Sequence, residues 1–70
     1  MNVLIVESRQ ELGVLWKRHL ERQGADVSLV HGQDEAVEHL SDHAADIIVM
    51  DLVLDEGSAL AVADFASYRH

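Results

Sequence analysis

The chain contains no cysteine, which excludes disulfides and thiolate zinc sites and fits a reducing, cytoplasmic setting. It has no proline either, and no linker or low-complexity stretch interrupts it. Basic residues are scarce: five Lys and Arg stand against thirteen Asp and Glu, a net charge of −8 with histidine neutral. A surface so acidic repels nucleic acid and anionic membranes unless its cations cluster. The one basic grouping, Lys17, Arg18 and Arg22, falls on a predicted helix that also carries Glu11 and Glu21. It reads as a solvated face, so no nucleic-acid partner is expected. No apolar run reaches bilayer length. The opening MNVLIVESRQ lacks the basic leader and long apolar core of a signal peptide. A cytoplasmic protein with no membrane partner is expected.

Seventy residues allow one small domain, and chains of this size bury a limited fraction of their surface. Within it, apolar strands alternate with amphipathic helices. Val3 to Val6 is a short run rich in β-branched residues, suited to a strand covered on both faces. Ser8-Arg9-Gln10-Glu11 spells a capping box. Leu12, Leu15, Trp16, His19 and Leu20 follow at helical spacing as one apolar stripe, on which Trp16 reads as a packing residue. Gly24 sits where a left-handed C-terminal cap belongs. Gly13, inside this helix, costs about 1 kcal/mol relative to alanine.

Val27 to Val30 predicts a second, more polar strand of edge character. Gln33 to Leu40 predicts a short helix with Ala36, Val37 and Leu40 facing inward and Asp34 and Glu35 suiting its dipole. Ser41 to Asp46 reads as a loop and Ile47 to Met50 as a third, continuously apolar strand. Ser58 can cap a third helix carrying Leu60, Val62, Ala63 and Phe65. The order β-α-β-α-β-α implies an α/β fold with a parallel sheet and right-handed crossovers.

In such sheets ligands gather beyond the carboxyl ends of the strands, where strand order reverses. With the first strand between the other two, Glu7 and Ser8 emerge there beside Asp51, with Asp55 and Glu56 in the following loop. An ionised carboxylate at the end of a buried strand is either solvated, capping its loop, or kept for chemistry. Two carboxylates converging from neighbouring strands call for a cation or a proton, and a hard divalent ion held through oxygens answers that need. Ser8 is explained equally by the capping box, and Glu7 by plain exposure at a strand end.

VLIVES with its following helix, and ADIIVMDLVLDEGSALAVA, resemble a response-regulator receiver domain. The resemblance spans residues 1–70 and covers the first three of that family's five βα units. It implies a partial flavodoxin-like (CheY-like) doubly wound sheet of strand order 2-1-3, with strands four and five lying beyond a cut at His70. It further implies that Asp51 accepts a phosphoryl group from a sensor histidine kinase or phosphotransfer protein. Magnesium would be held by Glu7, Asp51 and the backbone carbonyl of Val53, and Gly57 matches the glycine that precedes the third helix. The protein would be a regulatory phosphoacceptor rather than an enzyme.

Three departures bear on that reading. Ser8 stands where the family has a second acid, Asp55 stands where it has a proline, and the hydroxyl and lysine of strands four and five have no counterpart. The alternative is a pseudo-receiver, a binding module that keeps the fold without productive phosphorylation. Other chemistries find less support. Asp51 and Asp55 do not have the D-x-D spacing of some phosphatases, and no Gly-x-Gly-x-x-Gly or P-loop follows the first strand. His39 and His43, four apart, lack a further ligand at metal-site spacing. The third strand, apolar and left at an edge, is expected to pair across a two-fold axis in a homodimer or strand-exchanged assembly.

Overall fold

The computed structural model describes residues 1–50 and 59–69. Its elements alternate as β1 (Asn2–Val6), α1 (Gln10–Arg22), β2 (Asp26–Val30), α2 (Gln33–Asp42), β3 (Ile47–Met50) and α3 (Ala59–Arg69). The strands form one parallel sheet in the order β2-β1-β3. The fold is therefore α/β, with β1 central and the expected 2-1-3 order.

The central position of β1 follows from its composition. Val3, Leu4, Ile5 and Val6 are all buried, as a continuous apolar run between two helical layers must be. Alternation along the strand sends Leu4 and Val6 to one face, where they join Val30, Ala36, Leu40 and Val62 in the core. Ile48, Met50 and Phe65 pack around that cluster. Each fully buried Val, Leu or Ile is worth roughly 1.5–3 kcal/mol. Val3 and Ile5 point to the opposite face, on which Val3 lines a cleft with Leu20, Ile47 and Val49.

That second face is covered by α1, whose closest approach is through a glycine. Gly13 is buried, and a Cβ on it would meet Leu29 of β2. The packing face thus centres on Gly13, with Leu12 and Leu20 of the expected apolar stripe half-buried and its other members exposed. Leu15 is 63% exposed and Trp16 46% exposed. Trp16 instead meets the edge of His19, centroids 6.1 Å apart.

The ends of α1 divide between agreement and correction. At its C-terminus the Gly24 N–H donates to the Glu21 carbonyl and the Ala25 N–H to that of Leu20, at 3.0 and 3.2 Å. With Gly24 at φ +92°, this is the Schellman arrangement expected of that glycine. At the N-terminus the capping box does not form. Arg9 is the N-cap, with no side-chain cap bond, and the helix begins at Gln10.

The remaining differences are short extensions of predicted elements. The helix α2 runs to Asp42, two residues past the expected end, with the Ser41 hydroxyl donating to the Val37 carbonyl at 2.9 Å. Asn2 and Asp26 also join their strands, as a registered pair. Strand β3 has its expected bounds and aligns Val3 with Ile47 through to Val6 with Met50. Its entry is fixed by a double contact: the Asn2 N–H donates to the Asp46 carboxylate and the Asp46 N–H to the Asn2 carbonyl, each at 2.8 Å. Ser58, expected to cap α3, lies outside the described residues. Among the described residues no helix is long and apolar enough to cross a membrane.

Candidate functional site

The carboxyl edge of the sheet is assembled by the exits of all three strands. Strand β1 delivers Glu7 and Ser8, and β2 delivers His31. Strand β3 ends at Met50, paired with Val6, the residue immediately before Glu7. Of the residues expected at this edge, Asp51, Val53, Asp55, Glu56 and Gly57 lie outside the described residues. Glu7 and Ser8 are described, and they sit where the strand order requires.

Glu7 is the buried polar residue of the chain's described part, 7% exposed. Its backbone is pinned from β2: the Glu7 N–H donates to the Val30 carbonyl at 3.0 Å, and the His31 Nδ1 lies 3.1 Å from the Glu7 carbonyl. A carbonyl only accepts, so His31 carries a proton on Nδ1. The carboxylate turns back over the chain that follows it. Its Oε2 accepts from the Arg9 N–H at 3.3 Å, and its Oε1 lies 3.5 Å from Arg9 Nη2. One residue therefore meets both oxygens of the buried acid. An ionised group so far removed from water needs a partner of this kind.

Beside this pair lies a cleft of about 200 Å³ lined by Ile5, Glu7, Arg9, Trp16, Val49 and Met50. Ligand pockets for larger molecules run from roughly 300 Å³ upward, so the described part of the cleft suits an ion, waters or a small oxyanion. Its wall is apolar below and charged at the rim, which strengthens electrostatic contacts made there.

A magnesium site needs about six oxygens in near-octahedral array, usually with one or two carboxylates among them. Of the donors expected here, Glu7 and Ser8 are described, and Asp51 and Val53 lie outside the described residues. Glu7 supplies one carboxylate, already engaged by a guanidinium, and Ser8 supplies a neutral hydroxyl. The described residues form no cluster of three or more His, Asp or Glu able to hold a metal. His39 and His43 stack at 4.6 Å between centroids. The Nδ1 of His43 lies 3.3 Å from the His39 carbonyl, a contact that holds it in the cap of α2.

Two residues of this edge were not singled out in the sequence. Arg9 was absorbed into the capping box, although a cation two residues after a strand-end acid is placed to fold back onto it. His31 is the first residue after β2 and reaches the edge by the same strand-order rule that brings Glu7 there. Comparisons with protein-family models, with curated proteins and with solved structures returned no match.

Proposed function

We propose that this chain is a receiver-type phosphoacceptor module of a two-component relay, with a partial flavodoxin-like fold and a cytoplasmic location. Asp51 would take a phosphoryl group from a phosphohistidine of a sensor kinase or phosphotransfer protein. In that step the P–N bond to the donor imidazole breaks, and a P–O bond to an Asp51 carboxylate oxygen forms in line with it. The proposal makes the chain a regulatory substrate, not an enzyme.

One observation carries the reading. A buried acid, Glu7, leaves central β1 at the sheet edge where β3 also ends, one residue before Asp51 in the sequence. In a parallel sheet of this order that edge is the switch point at which ligands bind. The resemblance of the flanking segments to receiver domains supplies the reaction class.

A second reading is favoured by a specific observation. Ser8 is not an acid, and Glu7 is paired with Arg9, as a pseudo-receiver without productive metal chemistry would have it. Intact mass after incubation with acetyl phosphate, with and without magnesium, separates the two. A single phosphoryl adduct that is lost in Asp51→Asn supports the phosphoacceptor. No adduct under either condition, here and in a chain that also supplies strands four and five, puts the pseudo-receiver reading ahead.

We also propose self-association through β3. It is an edge of the sheet among the described residues, and Ile47 on it is 43% exposed. An apolar strand with an open edge is a template for a second strand.

A further inference from the structure

We propose that His39 and His43 form an open chelate for a transition-metal cation of the zinc, nickel or copper(II) class, held by two imidazole nitrogens with water in the remaining positions. The pair lies where α2 ends, beside the starts of the strands. It is independent of the phosphoryl-transfer chemistry proposed at the opposite edge of the sheet.

Spacing brings the two side chains together. Residues four apart lie one above the other along a helix, and here they straddle the last turn of α2, with His43 as its C-cap. Their rings face each other with centroids 4.6 Å apart and planes 15° from parallel. Two imidazoles bound to one zinc at about 2.0–2.1 Å, in adjacent positions, have centroids roughly 4.5–5 Å apart. The separation is therefore already that of a chelate. Closing it requires the two nitrogens to tip toward each other, and the histidine χ2 torsion is broad enough for that. His43 is exposed and His39 half-buried, so the rings have room to turn.

Hydrogen bonding selects the donor atom on His43. Its Nδ1 lies 3.3 Å from the His39 carbonyl. A carbonyl only accepts, so Nδ1 carries the proton and the Nε2 of the neutral ring keeps its lone pair for a metal. Histidine ligands ordinarily donate their other N–H to a carbonyl or carboxylate, which fixes ring and tautomer. That support is already in place here. Both rings line a cleft of about 290 Å³ with Asn2 and Asp26 at the strand starts, room enough for a hydrated ion. Imidazole selects zinc, nickel and copper, whereas magnesium and calcium take oxygen. Among the described residues no third His, Asp or Glu joins the pair. The chelate is thus unlike a closed four-ligand structural zinc site, and its metal exchanges with solvent. The other described histidines lack this arrangement: His19 Nε2 meets the Gln23 amide, and His31 Nδ1 the Glu7 carbonyl.

Histidine side-chain nitrogen spectra, recorded while zinc chloride is titrated into the 70-residue chain at constant ionic strength, read each ring separately. The His39 and His43 resonances are expected to move together and saturate as a single site, ahead of His19 and His31. Magnesium chloride should move neither of the pair. His43→Gln, at an exposed position, is expected to weaken zinc binding at His39 at least about tenfold, because the second donor is no longer supplied within the same chain. His39→Gln should do the same at His43. Unchanged His19 and His31 resonances in the metal-free variants show that the fold is kept. Equal zinc affinity at His39 in parent and His43→Gln, shifts spread evenly over the four rings, or no saturable shift at all overturns the proposal.

Discussion

Gly13 of α1 and Leu29 of β2 meet so closely that a Cβ built on the glycine would lie 2.8 Å from a Leu29 methyl carbon. The helix can approach the sheet this far only because the glycine carries no side chain. The usual stabilising change at a helical glycine is worth about 1 kcal/mol in propensity. Here it is opposed by overpacking, which costs roughly 1–3 kcal/mol in tight sites. Since the contacting atom is the far end of a flexible side chain, the two effects should nearly cancel. Gly13→Ala is expected to change unfolding free energy by less than about 1 kcal/mol. In a Leu29→Ala background the same change should deliver the full propensity gain. Urea denaturation of the four chains in this cycle checks it, and full gain with Leu29 intact would show that the contact carries no energy.

Gly24 poses the opposite case. No atom lies within 4 Å of where its Cβ would be, yet its φ is +92°. Any penalty for substitution is therefore one of backbone conformation alone. Gly24→Ala should destabilise by about 1–2 kcal/mol, the cost of placing an L-residue in the left-handed region. Gly24→Asn should cost less, since Asn tolerates that region better. Thermal or urea unfolding of both variants distinguishes this from a cap of no consequence.

These two glycines also show what the sequence made legible. Gly24 could be read because a helix-terminating glycine acts through local backbone geometry. Strand β3 was equally plain, since a four-residue apolar run bounded by acids has little else to become. Gly13 was read only as a helix defect. Its purpose depends on Leu29, sixteen positions away, and that contact exists only after folding. The exposed part of the apolar stripe has the same origin: periodicity identifies an amphipathic helix but not which line of it touches the sheet. The capping box does not form because the helix starts one position later than Ser8 would set it, with Arg9 as its N-cap, while Glu7 bonds the Arg9 N–H ahead of the first turn. At the site, Glu7 was foreseen from strand order, whereas Arg9 was hidden by a competing local motif. Asp51, the residue on which the proposed chemistry turns, lies outside the described residues.

Asp46 and Asn2 tie the start of β3 to the start of β1 with two bonds of 2.8 Å, one of them through the Asp46 side chain. Asp46→Ala removes the carboxylate and leaves the backbone bond. A hydrogen bond to a charged group contributes roughly 1.5–3 kcal/mol when sheltered, and exposure at this position reduces that toward about 1 kcal/mol. The expected loss is of that order, with Asp46→Asn intermediate because its amide oxygen still accepts. Hydrogen exchange at the Asn2 amide should quicken in the alanine variant. Unchanged exchange would mean that the backbone ladder alone holds this end.

The open edge of β3 gives the last prediction. Pairing β3 with its symmetry mate would extend the sheet to six strands and bring Ile47 of each chain into the shared seam. Sedimentation of the chain should show a mass rising with concentration from 7.8 kDa toward twice that value. Lysine at an edge strand is a standard obstacle to such pairing. Ile47→Lys, at a position already 43% exposed, should weaken association at least about tenfold while leaving the far-ultraviolet spectrum unchanged. A negative net charge of −8 opposes self-association, and salt screens it, so the dimer should strengthen as ionic strength rises. A mass fixed at the monomer value up to about millimolar concentration, in low and high salt alike, would show that this edge does not recruit a second copy.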